Sequence, residues 1–376
     1  MSRRLDQTLF QGWQLNGCLQ LATRTVQLLL SLCAVAFLFV QHASSEDLES
    51  KIDRYLKDKA AAKQFSGRVL VARGDNVLVK GDYGQAERKL EAANENRFPV
   101  GAVAEQFVAV AVLQLEQQGK MKIDAPICKY VPNCPANWKD IQVVHLLTHT
   151  SGLPSFQGAF ANQTDSDTLT ALLAAVGGRS LGFKPGSEFK YNELDFIVLG
   201  LAIEIVSSRP ASEFIEREVF QTLKMTDTAY LDRKVGGSPD PSLENAADPG
   251  EPGGLLRSDH FYSTVEDLYR FDRALIQGAA ITSASLLEML TPYRDGRGLG
   301  WKINKEFDKR LALQKGRSDG GSVCVRLYPD DDVYIILVAE ANDIDSAELT
   351  YDLGAIVFGK SYPASRKSAS TSPAAK

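Results

Sequence analysis

The most distinctive stretch of the chain is residues 145–154, which read HLLTHTSGLP. His145 and His149 stand four residues apart, the spacing of a zinc pair on one face of a helix. The zinc-protease pattern also requires a glutamate directly after the first histidine, and this chain has Leu146 there. The run therefore predicts a structural role for both histidines and no metal site.

Strand and helix patterns lie on both sides of this run. Alternating apolar residues around Gly74-Asp75-Asn76 predict a β-hairpin, and those around Pro329-Asp330-Asp331-Asp332 predict a second one over residues 323–339. Helical spacing occurs at residues 46–63, 103–118 and 346–358. Strands near both ends with helices between them predict an α/β fold, in which an antiparallel sheet built from both termini is flanked by helices and carries an inserted, mostly helical subdomain.

The same patterns set the expected domain limits. One domain is predicted over residues 46–360, with its α/β part at about 46–124 and 276–360 and the helical insertion at about 125–275. Residues 361–376 are a low-complexity Ser/Ala/Pro/Lys stretch, which predicts a disordered tail.

Composition excludes several classes of protein. The 376 residues carry 42 Lys+Arg against 47 Asp+Glu, a net charge of −5, and 24% of them are charged. This fraction is close to the average of about 25% for globular domains, so a disordered polyelectrolyte, a collagen-like fibre and a disulfide-dense mini-protein are excluded. Because there is no basic excess, no nucleic-acid partner is predicted.

The N-terminal region predicts export. Residues 26–40 form an uncharged apolar run, shorter than the about 20 residues of a membrane span and within the range of a signal-peptide core. We expect residues 1–45 to be a signal cleaved near Ser45, with an uncleaved membrane anchor through residues 26–40 as the alternative. The mature protein would be periplasmic or extracellular. In such a compartment the spacing of Cys128 and Cys134 favours a disulfide over two thiols, and Cys324 is expected to be a buried thiol.

Further short runs keep a fixed order around residues 145–154. They are Phe65-Ser66-Gly67, LEQQGKMKID at 115–124, Lys184-Pro185-Gly186 leading to Tyr191, Leu199-Gly200 with Glu204, Ser263-Thr264 with Asp267-Leu268, and GLGW at 298–301. Together they resemble the serine β-lactamase and penicillin-binding-protein superfamily along about residues 48–358. The resemblance is to its class C-like, D-alanyl-D-alanine carboxypeptidase and esterase branch, and it implies the β-lactamase/transpeptidase-like fold.

The resemblance also shows that the three catalytic motifs of this family are altered. The Ser-x-x-Lys motif corresponds to Ala102-Val103-Ala104-Glu105, so the nucleophile and its lysine are both replaced. The Tyr-x-Asn motif corresponds to Tyr191-Asn192-Glu193, which keeps the tyrosine of the general-base position but exchanges the amide for a carboxylate. We assign the Lys- or His-x-Gly motif of the strand edge to Ser318-Asp319-Gly320.

These changes predict a loss of serine chemistry. Removing the nucleophile of a serine hydrolase costs on the order of 10⁶ in kcat. Backbone N–H groups of Ala102 and Gly321 would still form an oxyanion hole. We therefore predict a pseudoenzyme that needs no cofactor and keeps a carbonyl- or peptide-binding cleft for a small-molecule or peptide ligand, such as a cell-wall fragment. The cleft residues are expected to be Ala102, Glu105, Glu193, Ser318, Gly320 and Gly321.

Two other hypotheses stay open. A rewired hydrolase would use Glu105 and Glu193 as an acid–base pair, or Tyr191, in place of the serine, with Asp259-His260 lining the same cavity. An interaction protein would instead contact an anionic surface through its basic tail.

One literal Ser-x-x-Lys, Ser187 to Lys190, follows the Pro-Gly loop. There an extended segment is expected instead of the helical turn that brings the serine and lysine together, so the match is not assigned as a catalytic site.

Overall fold

The computed structural model describes residues 47–84, 97–155, 173, 176–230, 256–318, 321–340 and 344–362. The predicted signal or anchor and the predicted tail lie outside these residues, apart from Ser361 and Tyr362. The chain divides into two compact units, Met1–Lys51 and Ile52–Lys376. Of the first unit, residues 47–51 are described, and those from Leu48 onward form the start of the first helix.

The strands fall into two antiparallel sheets. They are β1 (Gly67–Arg73), β2 (Asn76–Tyr83), β3 (Phe98–Pro99), β4 (Ala229–Tyr230), β5 (Phe261–Ser263), β6 (Arg297–Gly298), β7 (Trp301–Glu306), β8 (Lys309–Ser318), β9 (Gly321–Tyr328) and β10 (Val333–Ala339). In the described residues the larger sheet has the order β2-β1-β10-β9-β8-β7-β6, and the smaller one β3-β5-β4. β1 pairs with β10 from Gly67↔Ala339 to Arg73↔Val333, which confirms a sheet built from both termini.

Helices flank the larger sheet, as predicted. They are α1 (Leu48–Ala61), α2 (Glu105–Gln117), α3 (Val143–Leu147), α4 (Glu193–Ser207), α5 (Ala211–Ile215), α6 (Val265–Gln277), α7 (Ser283–Met289) and α8 (Ser346–Val357). α8 packs against β9 and β10, and α6 packs against β1 and β10. The limits of the helical insertion stay a prediction, but α6 crosses the expected boundary near residue 275 and already belongs to the layer on the sheet.

Two helices are buried on nearly all sides because they lie between layers. Every residue of α2 from Glu105 to Leu113 is buried, and so is every residue of α4 from Leu194 to Ile203. A helix that is apolar around its whole circumference is expected at the centre of a protein. α2 and α4 pack against each other, and the polar residues at their N-termini form the candidate site described below.

A close backbone contact fixes the start of α2. The 3₁₀ turn Gly101–Ala104 leads directly into the helix, and Gly101 has φ +51°, in the region that favours glycine. A Cβ atom at Gly101 would lie 2.6 Å from the carbonyl oxygen of Arg317, and one at Gly316 would overlap the carbonyl of Val100. The turn and β8 can therefore approach only because both positions lack a side chain.

The cysteine predictions are confirmed. Cys128 and Cys134 form a disulfide with a Cα–Cα distance of 5.2 Å. Cys324 is a buried free thiol, and burial raises its pKa. Among the described residues, no helix has the length and apolar character needed to cross a membrane.

Candidate functional site

The site begins where α2 and α4 begin. Asn192 caps α4, because its side-chain oxygen accepts a hydrogen bond from the N–H of Leu194 at 3.2 Å. Its side-chain nitrogen donates to the carbonyls of Leu153 and Pro154, both at 3.1 Å. The cap thus ties the start of α4 to the end of the HLLTHTSGLP run.

Three buried ionisable side chains form the centre of the site. Nδ1 of His149 lies 3.1 Å from Oδ2 of Asp195, and Nε2 of the same ring lies 3.4 Å from Oε2 of Glu105. The three residues are 2%, 0% and 2% exposed for His149, Asp195 and Glu105. The hydroxyl of Ser151 donates to the other carboxylate oxygen of Asp195. Glu105 starts α2 and Asp195 lies in the first turn of α4, so His149 joins the two helices.

The contacts of His149 define its protonation state. Both ring nitrogens lie near carboxylate oxygens, and the imidazolium form can donate a hydrogen bond to both; Nδ1 also lies 3.4 Å from the backbone N–H of Asn192. Burial alone would lower the pKa of His149, but the charge of Glu105 and the hydrogen bond to Asp195 outweigh it and raise the pKa to about 9. Burial raises the pKa of Asp195. The two carboxylates beside its ring therefore favour the protonated form of His149.

Gln314 brings β8 to this centre. Its Nε2 lies 2.9 Å from Oε2 of Glu105 and 3.1 Å from the carbonyl oxygens of both Ala102 and Gly300. In the family, the strand-edge Lys or His lies beside the nucleophile and is followed by x-Gly. In this chain the side chain beside Ala102 is that of Gln314, and Lys315 and Gly316 follow it. Gly316 is the glycine that packs on Val100 next to Ala102, which makes Gln314-Lys315-Gly316 a second candidate for the third motif. The assignment to Ser318-Asp319-Gly320 stays a prediction.

Tyr191 lies beside the cluster, and its role as general base stays a prediction. Its ring centroid is 4.7 Å from that of His149, and the residue is 45% exposed. Burial of the phenol, the charges of Glu105 and Glu193, and a hydrogen bond with Glu105 all raise its pKa above the usual value. A general base needs the opposite shift, toward the working pH. The tyrosine is in place, but its surroundings keep it protonated.

A small cavity lies beside Glu105. Its lining includes Glu105, Glu193, Phe196 and Leu256, together with Arg257 and Ser258. Its volume is about 10 Å³, which is room for about one water molecule. The two glutamates therefore line one cavity, but among the described residues this cavity is too small for a peptide.

The remaining predicted site residues are placed less closely. Ala102 is half-buried, and Gly321 opens β9 opposite Ser318 at the end of β8. Gly320 and the side chains of Ser318 and Asp259 lie outside the described residues.

The two other histidines in the described residues, His145 and His260, have structural contacts. His260 contacts Tyr230, with Nδ1 3.3 Å from the phenol oxygen. Nδ1 of His145 accepts a hydrogen bond from the N–H of Gln142 at 3.1 Å, and burial lowers its pKa. For His145 the predicted structural role is confirmed.

The literal Ser-x-x-Lys is not a catalytic turn. Ser187 and Lys190 are exposed in an irregular segment, and the hydroxyl of Ser187 donates to the carbonyl of Lys184 at 2.7 Å. In the part of the chain that the structure describes, no group of three His, Cys, Asp or Glu side chains is arranged to hold a metal ion.

The sequence did not reveal two members of the site, Asp195 and Gln314. It also did not reveal the ionic role of His149. A usable signal was available for Asp195, since a carboxylate within the apolar run ELDFIVLG of a buried helix requires a partner.

Comparison with known proteins identifies the family. A family model described as Beta-lactamase matches residues 52–357, so the chain belongs to the β-lactamase family. Penicillin-binding protein 4* of Bacillus subtilis (strain 168) is 26% identical over 334 residues, which are 80% of this chain and 74% of that protein. Protein flp of Staphylococcus aureus (strain N315) is 23% identical over 325 residues, or 79% of this chain and 64% of that protein.

Solved structures establish the fold independently. The octameric penicillin-binding protein homologue from Pyrococcus abyssi superposes with a TM-score of 0.68 at 21% identity, covering 82% of this chain and 77% of that one. The D-amino acid amidase from Ochrobactrum anthropi SV3 gives a TM-score of 0.66 at 20% identity, covering 84% of this chain and 99% of that one. The predicted β-lactamase/transpeptidase-like fold is therefore confirmed.

Proposed function

We propose that this chain is a catalytically impaired member of the β-lactamase family, which binds a carbonyl compound or peptide without forming an acyl-enzyme. The observation that carries the proposal is the fixed position of Glu105. The residue that replaces the catalytic lysine is turned into the protein and contacts His149 and Gln314. Ala102 beside it has no nucleophilic atom.

The same contacts argue against the rewired hydrolase. A general base must be free to take a proton from a water or substrate within hydrogen-bond reach, whereas the described contacts of Glu105 are with protein groups. Glu105 accepts from Gln314 and faces the imidazolium of His149. The cavity that it shares with Glu193 has room for about one water molecule, and the pKa of Tyr191 is raised. A hydrolase built on these groups has less support than a binding protein.

The edge of β8 is the proposed binding surface. Pairing of β7 with β8 ends at Lys302↔Leu313, so the segment from Gln314 to Ser318 runs beyond it, next to the turn that holds Ala102. Backbone N–H groups of Ala102 and Arg317 are proposed to bind the carbonyl, Arg317 replacing Gly321 because its backbone lies against Gly101. Peptide fragments of the cell wall are the proposed ligand class.

Covalent labelling tests the loss of acylation. The protein is incubated with a penicillin and with a fluorophosphonate, and intact mass is measured. We expect no adduct, because position 102 carries only a methyl group. Ala102→Ser is the matched variant, and it should also stay unmodified because Glu105 replaces the lysine. An adduct on the parent protein would contradict the proposal.

Binding is tested with matched dipeptides. We expect a D-alanyl-D-alanine amide to shift the backbone NMR signals of Ala102 and Arg317. The free acid should bind more weakly, because Glu105 puts a negative charge where the family has a lysine. If neither ligand shifts these signals, the binding part of the proposal is wrong, whatever the labelling shows.

We also propose that the protein is exported by residues 1–45 and acts in the periplasm or outside the cell. The disulfide between Cys128 and Cys134 supports an oxidising compartment. N-terminal sequencing of protein from the expressing cells tests this proposal. A start near Glu46 is expected for a cleaved signal, and a start at Met1 on membrane-bound protein would favour the anchor.

A further inference from the structure

We propose that Glu105, His149 and Asp195 form a latch, which holds the first turns of α2 and α4 together while His149 is protonated and releases them when the proton leaves. The term latch is used below for these three side chains alone.

Within the latch, the imidazole ring of His149 is the only group that contacts both carboxylates. His149 belongs to neither helix, and it follows α3 with φ +52° in a left-handed turn. One ring nitrogen faces the carboxylate that starts α2, and the other faces the carboxylate in the first turn of α4. All three side chains are at most 3% exposed. Solvent therefore cannot replace a lost contact without an opening of the structure.

Loss of the proton removes one of the two bonds. Neutral imidazole donates from one nitrogen and presents a lone pair at the other. One carboxylate would then face that lone pair, and two buried carboxylates would be left without the cation that lies between them. An uncompensated buried charge is costly, so separation of the two helix ends becomes favourable. Because Glu105 also lines the small cavity, the separation would enlarge that cavity.

The groups around the latch do not replace its cation. The phenol of Tyr191, from the segment before α4, adds no cation beside Glu105, and Glu193, the first residue of α4, adds a second negative charge. From β8, Gln314 contributes a neutral amide. From β6, Arg297 stacks on the ring of Phe189 at 4.2 Å and offsets part of the charge of Glu105, but it forms no ion pair with Glu105 or Asp195 among the described contacts.

Two further groups near His149 carry no compensating charge into the cluster. His145, at the end of the preceding helix, has a lowered pKa and contacts Gln142. Lys190 meets His149 through its backbone N–H, at 3.0 Å from the carbonyl oxygen, while the residue itself is exposed.

The first test follows the proton directly. NMR of protein labelled at its four histidines gives the titration of each ring, and His149→Asn assigns the relevant signal. The substitution keeps a residue that tolerates positive φ. We expect a midpoint of about 9 for His149, and a decrease of about 1–3 pH units in Glu105→Gln, which removes one neighbouring charge. His260→Asn is the matched control and should leave this midpoint unchanged.

The second test follows the opening. Hydrogen exchange is measured on the parent protein between pH 6 and 10.5 and corrected for intrinsic exchange. Segments 103–108, 147–152 and 192–198 should lose protection by about tenfold per pH unit from pH 6.5 to pH 9, the slope that release of one proton imposes. β10 should stay protected and serves as the internal control.

Three results would overturn the latch. The first is a His149 midpoint at or below 6.5 in the parent protein. The second is unchanged protection of the three segments across the range in which His149 titrates. The third is loss of protection in β10 together with these segments, which would indicate global unfolding. The second and third results are read from the parent protein alone, so they decide the proposal even if a variant fails to fold.

Discussion

Two buried ion clusters in the described part of the chain differ in the chemistry of their cation. In the latch, an imidazolium lies between two carboxylates. In the second cluster the cation is Arg326 of β9, which donates to Glu306 of β7, to the hydroxyl of Thr350 at 2.8 Å and to the carbonyl of Ala347 at 2.9 Å. Arg326 is buried, as His149 is.

The difference lies in which cluster can lose its charge. Burial works to lower the pKa of Arg326, but Cys324 and Glu306 beside it raise the pKa overall, so the guanidinium stays charged at every pH at which the protein folds. The pKa of His149, at about 9, can be crossed in an ordinary buffer. Similar burial therefore gives one cluster that is permanent and one that depends on pH.

Breaking the permanent cluster should have the largest effect. Arg326→Met leaves Glu306 without its cation and should lower the free energy of unfolding by about 3–5 kcal/mol. The loss should be the same at pH 6.5 and pH 9.5 in urea denaturation. Arg310→Met is the matched control, since its pair with Asp330 is exposed, and it should cost at most about 1 kcal/mol. If the free energy of unfolding lost in Arg326→Met varied with pH, the two clusters would no longer differ in their pH dependence.

Breaking the latch should have a smaller effect that depends on pH. The pKa of His149 is raised from 6.5 to about 9 in the folded state, so its contribution is complete below pH 6.5 and is lost as pH rises through 9. His149→Asn should therefore cost about 3 kcal/mol at pH 6 and far less at pH 10. Urea denaturation at both values measures the two losses. Equal losses would show that His149 acts only by packing.

Removing the side-chain amide of Gln314, which lies beside the latch, tests how much a neutral partner of Glu105 contributes to stability. Gln314→Ala removes the group that lies between Ala102, Glu105 and Gly300, and it should cost roughly 1–3 kcal/mol by leaving buried acceptors without a donor. Thermal unfolding of this variant is compared with that of Gln117→Ala, whose side chain is exposed. If the two variants lose the same stability, the role of Gln314 at the site is wrong.

The smallest effect is expected away from both clusters. Ser187→Ala removes the serine of the literal Ser-x-x-Lys, which is exposed and contacts only its own loop in the described hydrogen bonds. Stability should change by less than about 0.5 kcal/mol, and fluorophosphonate labelling should be absent before and after the substitution. Labelling of the parent that disappears in this variant would show that the motif had moved there.

The fold could be predicted because its signals are local. The short apolar runs of β1 and β10 and the turn residues beside them can be read within a few positions. Their pairing across the whole chain then follows from the need to bury two apolar hairpins. The disulfide was equally accessible, since Cys128 and Cys134 lie within one short loop.

The site could be predicted only in part, because its contacts are not local. His149 lies more than 40 residues from both Glu105 and Asp195, and spacing of that length predicts no contact. The third motif stays ambiguous for another reason. Gly316 and Gly320 both offer an x-Gly pattern, and only the packing of Gly316 against Val100 distinguishes them.

The pairing of β1 with β10 also sets an order of events during synthesis. About 270 residues separate Gly67 from Ala339, which meet in this pair. At about 5–20 residues per second, a ribosome needs roughly 15–55 s to make that length. During this time the hairpin of β1 and β2 has left the ribosome, but β10, the strand that pairs with the open edge of β1, has not yet been made. The newborn chain must therefore be shielded, or kept unfolded, until its last strand has been made.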